Sequence, residues 1–189
     1  MKKFLTLLAL FAAAIQTQAA VLLTIDMTDI SAVVITATGN FADINATSDA
    51  ANFPVQLKGF FTVDPGTTTY SALETTLQGP SSGDILDSIL GGRSGPSQTT
   101  AILRTGSGKV ETFSTTSTAF TGYAIFDLSS IESFLPTWGD SGNITTDNAG
   151  SEIIGTWEVA TVAVPEPSTY AALAGLATLG LVFWRRRKA

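Results

Sequence analysis

From residue 21 to residue 164 the chain never sustains one periodic run for long. Short stretches rich in Val, Ile, Thr and Phe alternate with Gly, Asn, Asp, Ser and Pro, the pattern of β-strands joined by turns. A parallel α/β fold needs repeated amphipathic helices, and the chain offers no such series. About eight to ten short strands at this spacing predict an all-β domain of β-sandwich or jelly-roll type.

Individual segments sharpen that expectation. Val21, Leu23, Ile25 and Met27 alternate as one strand, and residues 30–38 form a second that ends at Gly39-Asn40. Residues 55–63 read as the clearest strand, with Val55, Leu57, Phe61 and Val63 on one face, Gly59 as a bulge and Asp64-Pro65-Gly66 as the closing turn. A further strand or two is expected over residues 67–77. Residues 84–90 break the pattern, because Ile85 and Ile89, and Leu86 and Leu90, recur at helical spacing behind Asp84 as an N-cap; one or two helical turns are expected. Residues 99–105 and 109–115 flank Gly106-Ser107-Gly108 and predict a hairpin. Residues 119–128 follow as a strand. Ser129 and Glu132 have capping-box spacing for a short helical insert, and residues 153–164 close the domain as a last strand carrying Trp157.

The two ends differ from this middle. Residues 1–19 have the zones of a secretory signal peptide: Lys2 and Lys3, an apolar run over residues 4–15, and a small-residue exit with cleavage expected between Ala19 and Ala20. At the other end Pro165 and Pro167 bracket Glu166 and hold the chain extended. An uncharged helix over residues 168–184 follows, with Tyr170 and Trp184 at its borders. It measures about 25 Å at ~1.5 Å per residue, near the thickness of a bilayer core. The basic cluster Arg185, Arg186, Arg187 and Lys188, within a tail spanning 185–189, acts as a stop-transfer signal that keeps the C-terminus cytoplasmic and the β domain outside. The organisation expected is therefore a signal peptide at 1–19, an exported domain at 20–164 and a terminal segment at 165–189.

Val164-Pro165-Glu166-Pro167-Ser168-Thr169, the apolar helix containing Gly175 and Gly180, and the basic end closely resemble the PEP-CTERM sorting signal. That resemblance implies that a membrane-embedded exosortase recognises Pro165, Glu166 and Pro167 and cleaves the tail. It also implies an origin in Gram-negative bacteria that make exopolysaccharide, transient attachment to the inner membrane, and a destination at the cell surface or in a biofilm matrix. It covers only the last residues and brings no activity for the β domain.

Composition removes several chemistries from that domain. The chain has no cysteine and no histidine, which excludes disulfides, thiolate metal sites and the usual base of a hydrolase triad. Over residues 20–164 only Lys58, Arg93, Arg104 and Lys109 oppose fifteen carboxylates, a formal charge of −11. Such a surface repels phosphate backbones, so no nucleic-acid partner is expected. Asp140, Asn143, Asp147 and Asn148 have calcium-type oxygens but no EF-hand or RTX spacing, and read as a polar turn; no metal or cofactor is expected. Asp84 and Asp87 offer a carboxylate pair for glycoside chemistry but equally suit a solvated helix face, and the catalytic assignment is none. Asn45-Ala46-Thr47 and Asn143-Ile144-Thr145 are formal glycosylation sequons. The expected function is that of a non-enzymatic surface or matrix protein. A carbohydrate-binding module of the same fold is the alternative, and a polysaccharide-acting enzyme comes third.

Overall fold

The computed structural model describes residues 19–48, 55–81, 83–91, 99–105, 110–147 and 150–160. The strands are β1 (Val21–Asp26), β2 (Val33–Ala37), β3 (Ala46–Thr47), β4 (Val55–Leu57), β5 (Thr68–Thr75), β6 (Leu86–Gly91), β7 (Ala101–Thr105), β8 (Thr112–Phe113), β9 (Tyr123–Phe126), β10 (Ser141–Thr145) and β11 (Ile153–Val159), with 3-10 turns at Ile30–Ala32 and Ser129–Phe134. Nine of them close into a barrel in the order β1-β11-β10-β4-β7-β6-β5-β9-β2, and β3 pairs β8 separately. The chain is all-β, as expected, but a closed barrel replaces the expected sandwich. Alternation along one strand is the same in either architecture; the pairing of the two end strands decides between them. That β1–β11 pairing is parallel, whereas the other pairings are antiparallel.

Inward residues fill the interior, as small barrels require. Leu23, Ile25, Val33, Ile35, Val55, Leu57, Leu103, Phe126, Ile144 and Trp157 are fully buried. Trp157 packs against Phe60, with ring centroids 5.6 Å apart, and Phe60 meets Phe61 edge-on at 4.9 Å. The indole Nε1 of Trp157 donates to the Lys58 carbonyl at 3.1 Å, so the largest core side chain has its polar atom satisfied. Gly142 makes this possible. A Cβ there would stand 2.2 Å from the Lys58 carbonyl oxygen and 2.8 Å from Nε1.

Four local expectations need correction. Residues 84–90 are not helical but enter β6. A register shift between Leu86 and Ser88 lets Leu86 and Ile89 both point inward, and that bulge imitates helical spacing. The hairpin across Gly106-Ser107-Gly108 does not form, because β7 is paired on both sides by β4 and β6 while β8 pairs β3. The strand over residues 55–63 stops at Leu57. Gly59, at φ +70°, turns the chain so that Phe60 and Phe61 enter the core and Val63 faces solvent. The Ser129–Phe134 insert exists, but its N-cap is Leu128 without a side-chain bond. Asp127 does the capping from one residue earlier, accepting from the Ser129 amide at 3.0 Å and hydroxyl at 2.6 Å, so Glu132 is not the cap. Strands β1, β5, β7, β9 and β11 fall within the segments where the sequence places them, and β2 begins only at Val33, because Ile30–Ala32 is a 3-10 turn.

The transmembrane helix expected at 168–184, the motif at 165–169 and the basic tail at 185–189 lie outside the described residues, as does residues 1–18 of the signal peptide. Among the described residues no helix is long and apolar enough to cross a membrane.

Candidate functional site

The end of the barrel from which β11 leaves carries an open groove of about 410 Å³. Its walls come from three places: Met27, Thr28 and Ile30 after β1, Glu132 in the Ser129–Phe134 turn with Leu135 just past it, and Thr137 and Trp138 before β10. Trp138 is 75% exposed, the most exposed of the large apolar side chains among the described residues. Its backbone is nonetheless fixed. The Asp140 carboxylate accepts from the Thr137 amide at 2.7 Å and hydroxyl at 3.0 Å, and Gly139 donates to the Val159 carbonyl at 3.0 Å. The ring is thus a solvent-facing platform on a tied turn, which is how a preorganised binding aromatic is built.

Short acidic turns frame this rim. Asp26 accepts from the Thr28 amide at 2.9 Å and hydroxyl at 2.6 Å, and Asp29 does the same for Ser31 at 2.9 and 2.6 Å. These are Asx turns with an added hydroxyl bond. The Ser31 hydroxyl and then its amide hold Asp29 below the usual carboxylate range, against the upward push of burial and of the like charge on Asp127; Ser129 lowers Asp127 in the same way through its hydroxyl and amide. Each carboxylate is therefore a structural acceptor at neutral pH.

A second depression, about 480 Å³, lies over β5, β6 and β7 and is lined by Thr69, Ser71, Asp87, Ser88, Arg104 and Thr105. It has no aromatic ring. Asp87 lines it and Asp84 does not, so the structure does not bring that pair together at one site. One carboxylate lines each depression, Glu132 in the first and Asp87 in the second.

The calcium-type residues also separate. Asp140 closes the Thr137 turn, Asn143 is exposed within β10, and Asp147 sits past the far end of that strand, accepting from Ser151 and Glu152, so strand β10 runs where a single polar turn was expected; Asn148 lies outside the described residues. Among the described residues no cluster of three or more His, Cys, Asp or Glu could hold a metal. Of the sequons, Asn45 is engaged through its side-chain oxygen by the Thr115 amide at 3.0 Å.

Sequence reasoning missed a buried carboxylate. Glu111 is fully buried and accepts from the Ser81 amide at 3.1 Å and hydroxyl at 3.0 Å. Its own amide donates to the Ser48 hydroxyl at 2.9 Å, and the Ser48 amide returns a bond to its carbonyl. Glu111 thereby joins the Gly79–Ser81 loop to β3 and β8. No local signal marks it, because its partners are 30 and 63 residues away.

Of the sites expected from the sequence, Ala19 and Ala20 are described: Ala19 is exposed and Ala20 is half-buried at the entry to β1. Pro165, Glu166, Pro167, Arg185, Arg186, Arg187 and Lys188 lie outside the described residues. A family model, the PEP-CTERM protein-sorting motif, matches residues 163–188 and so contains all seven. Such a motif implies in general an exported protein, transient C-terminal membrane anchoring and processing by an exosortase. No curated protein and no solved structure matches the chain.

Proposed function

We propose, from the premise that the chain carries a PEP-CTERM sorting motif, that it is a non-enzymatic β-barrel protein delivered to the cell surface or extracellular matrix and retained there with exopolysaccharide. The observation that carries this reading is position. The barrel's last strand ends at Val159 and the matched motif begins at residue 163, so folded cargo and sorting address are contiguous and do not overlap.

The absence of histidine and cysteine supports a non-enzymatic role, and the carboxylates Asp26, Asp29, Asp127, Asp140 and Asp147 are all occupied in local turns. An acidic domain on a rigid closed barrel is soluble and resists edge pairing, properties that suit a crowded matrix. Exosortase cleavage near Pro165-Glu166-Pro167 would then release it or pass it to a surface acceptor. Fusing residues 164–189 to an inert exported reporter tests the route. A smaller reporter is expected in a host with the exosortase than in one without it, and equal electrophoretic mass in both hosts overturns it.

The Trp138 groove favours a second reading, a carbohydrate-binding barrel. An exposed indole on a tied turn, in a groove also lined by Thr28, Thr137 and Glu132, combines an apolar face with polar side chains, the combination that small-ligand sites use.

A further inference from the structure

We infer that Asp43 is the counter-ion of the mature N-terminus, and that Ala20 bears the α-ammonium it holds. The proposal rests on the expected cleavage between Ala19 and Ala20 and is independent of what the tail does. In the unprocessed chain the Ala20 amide points at both oxygens of the Asp43 carboxylate, at 3.2 Å each. One amide hydrogen shared between two oxygens makes poor use of that acceptor. An ammonium has several hydrogens for the same two oxygens and adds a full opposite charge.

Both partners are fixed by the barrel rather than by the residues upstream. The Ala20 carbonyl accepts from the Thr156 amide at 2.8 Å and hydroxyl at 3.2 Å, and the Asp43 amide donates to the Ile154 carbonyl at 2.8 Å. Nitrogen and carboxylate are thus both referenced to β11. Gly155, between those two anchor points, lets the chain come this close: a Cβ there would stand 2.6 Å from Leu22 Cγ and 2.8 Å from the Ala20 oxygen. Among the described residues the Asp43 side chain has no partner besides Ala20. Exposure changes at the same bond, with Ala19 in solvent and Ala20 half-buried.

Hydrolysis of the Ala19–Ala20 peptide bond places the water's hydroxyl on the Ala19 carbonyl carbon. The nitrogen leaves with the water's remaining proton and takes another from solvent to become the ammonium. Signal removal then converts an amide–carboxylate contact into an ion pair without moving either backbone. Cleavage one residue earlier or later would put the charge out of register with Asp43.

The test uses the exported, signal-cleaved protein and a matched sample acetylated at its α-amine. N-terminal sequencing is expected to begin at Ala20. Asp43→Asn is expected to lower the melting temperature of the free-amine form by about 1 to 4 °C and to leave the acetylated form nearly unchanged. Equal shifts in both forms, or a mature chain starting elsewhere, overturn the proposal. Should the variant fail to fold, the wild-type protein still decides: its α-amine is expected to react with acetic anhydride several-fold more slowly than that of an unstructured peptide with the same first residues, and equal rates overturn the ion pair.

Discussion

Replacing Trp138 by alanine separates binding from folding at the candidate groove. With 75% of its surface already in solvent, truncation forfeits about a quarter of a ring that buries about 200 Å² at most, or ~50 Å². At about 25 cal/mol per Å² that is an upper limit near 1 kcal/mol of stability, a fall of about 4 °C or less for a domain of this size. Loss of an anchoring aromatic from a binding site costs about 2 kcal/mol or more, at least ~30-fold in affinity. The assay is saturable binding to the producer's own polysaccharide, followed by fluorescence of the processed domain. The chain has three tryptophans. In a domain from which the tail has been removed Trp184 is gone, and Trp138→Ala then leaves only the buried Trp157 as reporter of the core. Wild-type affinity in Trp138→Ala would refute the groove as the sugar site, and a fall in melting temperature well beyond 4 °C would show that the ring carries packing that its exposure does not reveal. If the unsubstituted domain binds no polysaccharide, the carbohydrate reading fails and the matrix reading stands alone.

Two further outcomes follow from the core and the rim. Gly142→Ala is expected to cost about 2 to 5 kcal/mol by urea denaturation, since the new methyl group overlaps the Lys58 carbonyl and forces out the Trp157 bond; a change under about 0.5 kcal/mol would contradict the packing described. The carboxyls of Asp29 and Asp127 are lowered by their hydroxyl and amide donors, and that of Asp147 is lowered because its bonds from Ser151 and Glu152 outweigh the upward push of burial. A lowered folded pKa adds stability that is present above the unfolded value near 3.9 and lost as pH falls through the folded one. The melting temperature is therefore expected to fall as pH drops below about 4, and Asp127→Asn to flatten that slope; an unchanged slope counts against the role given to Asp127.

Much of the strand inventory was legible because β-branched runs and turn residues are local signals. Ala37 is followed by Thr38-Gly39-Asn40, and the end of β2 could be read there. Closure was not legible, because Val21 and Thr156 lie far apart in sequence and carry no mark of their parallel pairing. The bulge in β6 disguised a strand as a helical turn, and the strong glycine signal at Gly106 and Gly108 outweighed the fact that β7 is buried along most of its length, as a strand with two neighbours must be. The Asp-x-Ser/Thr spacing at Asp26, Asp29 and Asp127 is a local Asx-turn signal that the strand reading passed over. Of the candidate groove, Pro136 and Gly139 around Trp138 signal an exposed loop, whereas the approach of Met27 and Glu132 to it depends on the barrel's closure.

That closure also explains how a tail can be cut from this domain without harming it. The final strand β11 is paired on both sides, by β1 and by β10, so its removal would open two unpaired edges, whereas a cut beyond Ala160 opens none. The parallel register sends the two processed ends apart: Ala20 bonds Thr156 at one end of the β1–β11 pair, and Ala160 bonds the Ile25 carbonyl at the other, five residues or about 17 Å along β1. The proposed signal removal and tail removal would thus act at separate ends of the same strand pair. Until β11 has emerged, β1 lacks one neighbour and the barrel stays open, so stable folding requires nearly the whole exported chain. On the proposed export route, a sorting segment placed directly after β11 would be reached only once every strand of the barrel had been translocated, which would tie recognition of the address to a cargo able to close.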